Sequence, residues 1–288
     1  MSVRAVRRAA PAKLNLYLHV VGRRADGYHL LDSLVAFADV ADILTASAAP
    51  RLALEIAGPF APALAEAGER NLVRRAATAL AERAGFPARA ALALEKNLPV
   101  ASGIGGGSAD AAATLLALAE LWGLDLEEPR FAGLALSLGA DVPVCLLGRT
   151  AWLGGIGDQV SLAPSLPDCA VVLANPGVAV ETPAVFKART GDFSAPARFS
   201  HPCASAAELA AVLAERRNDL AKAALTLVPE IAEVLHALAA VPGALLARMS
   251  GSGATCFALF AEHAAAHAAA TRLIVEHPAW WIAAGRLL

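Results

Sequence analysis

The spacing of apolar residues switches repeatedly between strand-like and helix-like along the first half of the chain. Ala10 to Val21 reads as a strand and is followed by the polar turn Gly22 to Gly27, and Val35 to Leu44 and Arg51 to Ile56 read as further strands. In Asn71 to Ala84 the apolar positions Leu72, Ala76, Leu80 and Ala84 fall at helical spacing, and Gly85 with Pro87 just beyond supplies a stop. Ala90 to Leu94 is a short strand that runs into a glycine-rich loop. Ala109 to Leu121 then reads as a strong helix, stopped by Gly123.

The chain changes character between Gly148 and Pro167, where Gly154, Gly155, Gly157, Pro164 and Pro167 crowd together. A boundary is expected there, with domains at residues 1–158 and 159–288. The second half opens with a buried strand, Ala170 to Ala174, and continues with helices at Ala204 to Ala214 and Pro229 to Ala239. A second glycine cluster follows at Ser250 to Gly253, then the apolar strand Thr255 to Phe260 and an alanine-rich helix from about Glu262. Strands and helices mixed in both halves predict an α+β fold of two domains. The length of 288 residues agrees with this, at about 100–200 residues per domain.

Composition narrows the class. Hydrophobic residues make up 57% of the chain and charged residues 17%, which excludes disorder. No run reaches the roughly 18 apolar residues that span a bilayer; the longest, Phe131 to Leu147, has Asp141 and Pro143 in its middle. Arg4, Arg7 and Arg8 ahead of Leu14 imitate a secretion signal, but Pro11, Lys13, Asn15 and His19 interrupt any apolar core. A cytoplasmic chain without membrane association is expected. Cys145, Cys169, Cys203 and Cys256 are widely spaced and read as reduced, small apolar residues. A formal net charge of −2 gives no electrostatic basis for nucleic-acid binding. A polyphosphate ligand would have to be held locally, by a few lysines, backbone N–H groups and a helix terminus.

The strongest chemical signal is Leu98-Pro99-Val100-Ala101-Ser102-Gly103-Ile104-Gly105-Gly106-Gly107-Ser108, leading into the helix expected near Ala109. Four glycines in five positions let backbone N–H groups converge without obstruction, and the helix behind adds its own unpaired N–H groups. Together these suit a di- or triphosphate. The alternative is a tight turn with Ser108 or Asp110 capping the helix. Neither a Walker pattern nor the GxGxxG fingerprint is present. A second signal is Pro11-Ala12-Lys13-Leu14-Asn15, where Lys13 and Asn15 share one face of a strand. A lysine on an apolar strand is costly unless paired, the alternative being that it reaches out to solvent. In Gly139-Ala140-Asp141-Val142-Pro143 a carboxylate raises the same question. Lys13 and Asp141 would answer each other as a pair for phosphoryl transfer to an alcohol, the aspartate taking the proton. Asp141 could equally cap a turn before Pro143. His263 and His267, four apart, read as a solvated helix face, and Trp280 and Trp281 as packing residues.

Three of these segments, Pro11 to Asn15, Pro99 to Ser108 and Met249-Ser250-Gly251-Ser252-Gly253, taken in order, resemble the GHMP kinase superfamily. Within it, Gly22-Arg23-Arg24-Ala25-Asp26-Gly27-Tyr28-His29, Gly139 to Pro143 and Asn175-Pro176-Gly177-Val178 resemble the branch that acts on a cytidine-diphosphate-linked methylerythritol. The likeness covers nearly the whole chain. It implies an N-terminal ribosomal-protein-S5-like β/α domain and a C-terminal ferredoxin-like α/β domain, with the active site in the cleft between them. The implied activity is ATP-dependent phosphorylation of the substrate's 2-hydroxyl, with Mg²⁺, in the non-mevalonate isoprenoid route; the Mg²⁺ ligands stay unassigned. By the same resemblance Lys13 and Asp141 match the catalytic pair, Tyr28 and Phe186 the cytosine sandwich, and His29 a hydrogen bond to the base edge. Asn15, Thr182 and Asp141 match substrate contacts, while Asn71, Lys96, Pro99 to Ser108 and Ala109 match the ATP side. Ala101 and Ser102 stand where many relatives carry more glycine, and Ala109 where a second serine is common. The expected assembly is a monomer or weak homodimer. Rival readings are a homoserine- or mevalonate-type kinase of the superfamily, a nucleotide-binding relative without catalysis, and a purely structural domain.

Overall fold

The computed structural model of the chain describes residues 5–288, so Arg4 of the basic start lies outside the described residues. The chain divides into two compact units, and neither is a single stretch. The first comprises the chain up to Ala12, Ala41–Val100 and Gly105–Gly148; the second comprises Lys13–Val40, Ala101–Ile104 and Arg149–Leu288. Two long strands that pair with each other, β1 (Ala5–Arg23) and β2 (His29–Ser47), run through both units. Both outrun their expected limits because ladder bonding carries polar flanks such as Arg7, Arg8, Ser33 and Thr45, which an apolar pattern does not count.

In the first unit the end of β2 pairs antiparallel with β4 (Ala91–Glu95), which pairs in parallel with β3 (Ala53–Ala57). Helix α1 (Leu72–Ala84) starts where the Asn71 side chain accepts the Val73 N–H at 2.9 Å and stops at Gly85, whose φ is 82°. It buries Val73, Ala76, Ala77, Leu80 and Ala81 and packs against α2 (Gly106–Trp122). Helix α2 begins three residues ahead of the expected Ala109, after Gly105 in the left-handed region at φ 63°. Glycine's poor helix propensity argues against Gly106 and Gly107, yet first-turn N–H groups have no intrahelical partner, so glycine forfeits less there. Two short helices follow, α3 (Leu134–Leu138) and α4 (Val142–Leu147).

In the second unit the start of β2 pairs with β5 (Ala151–Gly154), and β5 forms a hairpin with β6 (Gln159–Leu162). The glycine-rich stretch after Gly148 is thus largely that hairpin, with Gly155 and Gly157 at positive φ in its turn. A second sheet, wholly antiparallel, has the order β10-β7-β9-β8 from β7 (Ala170–Asn175), β8 (Leu246–Met249), β9 (Cys256–Phe260) and β10 (Trp281–Arg286). Its helices are α5 (Thr182–Ala188), α6 (Ala206–Ala214), α7 (Ala221–Leu227), α8 (Glu230–Ala240) and α9 (His263–Glu276). Val172, Ala174, Ile231, Val234, Leu238, Phe260 and Leu273 form part of the core cluster of this unit. Trp281 opens β10, and Trp280 stacks on His277 at 3.8 Å. On α9, His263 bonds Asp168 at 3.1 Å.

All four cysteines are buried. Burial pushes the Cys169 thiol up to about 11 and Cys256 further still. Among the described residues no helix is long and apolar enough to cross a membrane. Leu80, fully buried on α1, tests the packing of the first unit. Leu80→Ala is expected to lose about 2–5 kcal/mol of stability, read as a lowered urea midpoint with an unchanged slope.

Candidate active site

Lys13 and Asn15 are neighbours on one face of β1 and are only 5% and 3% exposed. The Lys13 ammonium donates to Asn15 Oδ1 at 3.0 Å, so it turns along the strand instead of out to solvent. Asn15 passes the contact on, donating from Nδ2 to Ser33 Oγ at 2.8 Å and from its backbone N–H to Ser250 Oγ at 3.1 Å. Ser250 Oγ donates in turn to the Gly103 carbonyl at 3.0 Å, and the Lys13 N–H reaches the Ile104 carbonyl at 2.9 Å. One side of the glycine loop is therefore tied directly to the strand that carries Lys13.

The late glycine cluster supplies the rest of that support. Thr255 N–H donates to the Ser102 carbonyl at 3.1 Å, and Val180 N–H to the Ala101 carbonyl at 3.2 Å. A Cβ on Gly103, at φ +77°, would stand 2.6 Å from Ser250 O and 2.7 Å from Gly253 O. A Cβ on Gly251, at φ +55°, would stand 2.7 Å from Gly103 O. The two loops touch backbone to backbone, which answers why the sequence holds glycine in both. Ala101 has φ 52°, a left-handed value that side chains rarely adopt. Asn218 Nδ2 pins the late loop through the Met249 and Gly251 carbonyls at 2.9 and 2.8 Å. In the Asn175-Pro176-Gly177 turn, Asn175 accepts the Gly177 N–H at 2.8 Å and donates to Thr255 Oγ1 at 2.9 Å. Thr182 and Ser252 share a hydroxyl bond at 2.8 Å.

The same unit holds the aromatic residues. His29 and Phe186 stack with centroids 5.2 Å apart and planes 24° from parallel, and Tyr28 stands 60% exposed. Burial, and then the charges of Arg23 and Arg189, hold the His29 imidazole below its ordinary pKa, so the ring is neutral at pH 7.

In the first unit, α2 starts without a side-chain cap: Gly105 is the capping residue, Ser108 sits on the first turn and Asp110 on the second. The capping roles considered for Ser108 and Asp110 are not the ones they play, and the N–H groups of the first turn are left for a ligand. Asp141 occupies the capping position of α4 but its side chain makes no cap bond, and it is half-buried. Asn71 caps α1 through its Oδ1. Lys96 is 2% exposed, with its ammonium between Asp42 and Asp110. Asp42, Ser33 and Asn218 are residues that the sequence pattern did not single out. Asp42 is one of three acids on β2, with Asp32 and Asp39, so no lone charge marked it out.

Within the second unit a buried ammonium is held by an amide and a neutral histidine lies on an aromatic ring, features that suit an anionic group and a flat ring. Within the first unit α2 opens on glycines without a side-chain cap, which suits phosphate. The sequence profile of the GHMP kinases N terminal domain matches residues 71–149, and that of the GHMP kinases C terminal region matches residues 203–277. The 4-diphosphocytidyl-2-C-methyl-D-erythritol kinase of Paramagnetospirillum magneticum is 55% identical over 279 residues, covering 97% of this chain and 97% of its own. The chain belongs to this kinase family. The kinase of the same name from Ruegeria pomeroyi is 54% identical, covering 99% of this chain and all of its own. The crystal structure of a 4-(cytidine 5'-diphospho)-2C-methyl-D-erythritol kinase superposes with a TM-score of 0.79 at 37% identity, over 98% of this chain and 99% of that one. A homoserine kinase from Cytophaga hutchinsonii, at 18% identity and a TM-score of 0.71 over 99% and 96% of the two chains, shares the fold. This kinase is an ATP-dependent phosphotransferase that acts on a hydroxyl group.

The glycine contacts make two substitutions diverge. Gly103→Ala is expected to displace the loop and abolish measurable ATP binding, because its neighbours are backbone and cannot turn aside. Ala101→Gly is expected to keep ATP binding and to melt within about 4 °C of the parent. Parallel melting curves and nucleotide titrations of the two variants check both.

Proposed function

We propose that this kinase transfers the γ-phosphoryl group of ATP to the 2-hydroxyl of 4-diphosphocytidyl-2-C-methyl-D-erythritol, in the cytoplasm, on the non-mevalonate route to isoprenoid precursors. The observation that carries this reading is the 55% identity to a kinase of that name along nearly the whole of both chains. In the proposed reaction Asp141 accepts the proton of the 2-hydroxyl as its oxygen bonds to the γ-phosphorus. The bond from that phosphorus to the bridging oxygen breaks and ADP leaves. Lys13, oriented by Asn15, supplies positive charge to the phosphoryl group in flight. The loop from Pro99 to Ser108, with Ala109, Asn71 and Lys96, serves the nucleotide. Tyr28 and Phe186 hold the cytosine face to face and His29 bonds its edge, while Asn15 and Thr182 contact the methylerythritol part.

Mg²⁺ belongs to this reading as the companion of ATP. Among the described residues no group of three or more His, Cys, Asp or Glu side chains is arranged to hold a metal ion. A cation carried by a triphosphate keeps most of its water and asks for one or two protein oxygens, and the Ser108 hydroxyl on the first turn of α2 is one. When bound, it offsets the charge of the phosphates.

An ADP-release assay with Mg·ATP and this acceptor tests the proposal beside Asp141→Asn. The parent is expected to turn over, and the variant to lose about 10²–10⁴ in kcat while still binding ATP. A parent silent with this acceptor but active on homoserine or mevalonate would sink the proposed substrate. The lowered His29 pKa adds a pH signature. The acceptor KM is expected to stay level through neutral pH and to rise only below the ordinary histidine value of 6.5, as the ring gains a proton.

A further inference from the structure

Lys96 follows directly on the end of β4, two residues before Leu98, and its ammonium lies between two carboxylates. It donates to Asp42 Oδ2 and, at 2.8 Å, to Asp110 Oδ2. Asp42 comes from β2, and its other oxygen accepts the N–H groups of Asn97 at 2.6 Å and Leu98 at 2.8 Å. Asp110 stands on the second turn of α2. Bonds through Asp42, Lys96 and Asp110 therefore join the residues just before the glycine loop to the helix just after it.

The lysine is held from behind as well. Its N–H donates to the Ala57 carbonyl at 2.7 Å, its carbonyl accepts the Phe60 N–H at 3.2 Å, and a Cβ on Gly58 would stand 2.7 Å from that carbonyl oxygen. A Cβ on Gly106, the first residue of α2, would stand 3.1 Å from the ammonium nitrogen. The arrangement is costly. Two carboxylates around one ammonium leave an excess buried charge, and burial followed by the Asp42 charge, opposed by Lys96, lifts the Asp110 carboxyl to about 7. Asp110 Oδ1 is buried without a hydrogen-bond partner. Apolar residues of similar volume would hold a core at least as well, so the expense calls for a role beyond stability.

We propose that Lys96 is a positioning residue for ATP. Through Asp42 and Asp110 it sets the separation between the start of the glycine loop and α2, and with it the placement of the N–H groups that receive phosphate. In this role Lys96 itself meets no atom of the nucleotide. The inference rests on the reading of the loop as the ATP site. Its test measures ATP binding without an acceptor, so a wrong acceptor alcohol leaves the test intact.

Calorimetric titration with ATP would compare the parent with Asp42→Asn, Lys96→Met and the double variant, with amide hydrogen exchange followed over residues 97–110. In Asp42→Asn the amide keeps an oxygen for Asn97 and Leu98 but can turn its NH₂ toward the ammonium. Each single change is expected to weaken ATP by roughly tenfold and the double by no more than either, because cutting a chain twice breaks it once. Exchange of the 97–110 amides is expected to quicken in the same variants while the melting temperature of Asp42→Asn holds. Should Lys96→Met weaken ATP while Asp42→Asn binds like the parent, the lysine meets the nucleotide itself and the proposal falls. It falls too if both single variants bind ATP like the parent. Lys96→Met strands two carboxylates and risks misfolding. In that event Asp42→Asn decides by the same criterion, with Lys96→Met/Asp42→Asn/Asp110→Asn as the version that removes all three charges together.

Discussion

A side chain at residue 103 would begin 2.6 Å from one carbonyl oxygen and 2.7 Å from another, so the glycine loop can rest on the Ser250–Gly253 turn only as bare backbone. Much of the second unit is organised around that contact. The Ser250 hydroxyl is its hub, accepting from the Asn15 N–H and donating to the Gly103 carbonyl. Asn15 in turn orients the Lys13 ammonium. Asn218 and Thr255 fix the turn and the loop from either side. Loop geometry and lysine orientation are thus set by one set of bonds, and a displacement of either is felt by the other.

The electrostatics follow the same economy. With a formal net charge of −2, the chain has no general attraction for a polyphosphate. Positive character is concentrated in directed groups: the uncapped first turn of α2, the Lys13 ammonium and the cations near His29. Directed donors hold phosphate at short range and are screened little by salt, whereas a diffuse basic surface would also collect nucleic acid.

How much of this was legible in the sequence depended on how local each cause was. Helix α1 was legible at both ends, because Asn71 and Gly85 act within one turn of themselves. The buried strand β7 stood out as a continuous apolar run. Strands β8 and β10 did not, both being short and half-buried, and β10 being paired with a strand distant in the chain. The start of α2 was misplaced because intrinsic propensity counts Gly106 and Gly107 against a helix, while their neighbours decide otherwise. In the site, Lys13 and Asn15 could be placed on one face by strand alternation, Asp141 stood out as a carboxylate in an apolar run, and Lys96 was marked through family resemblance. The inward turn of Lys96 had no local signal. Asp39 and Asp42 lie three apart on β2 and so face opposite ways, one exposed and one buried, and nothing in the strand says which face is inner.

The bond between Ser250 and Gly103 spans 147 residues of chain. During synthesis the glycine loop therefore leaves the ribosome long before the turn that backs it. At the usual pace of about 5–20 residues per second, the loop waits some seconds without its support. A nascent chain halted short of Ser250 carries every glycine of the loop but lacks the turn on which Gly103 rests. Truncated products of this gene would accordingly be poor competitors for the cell's ATP.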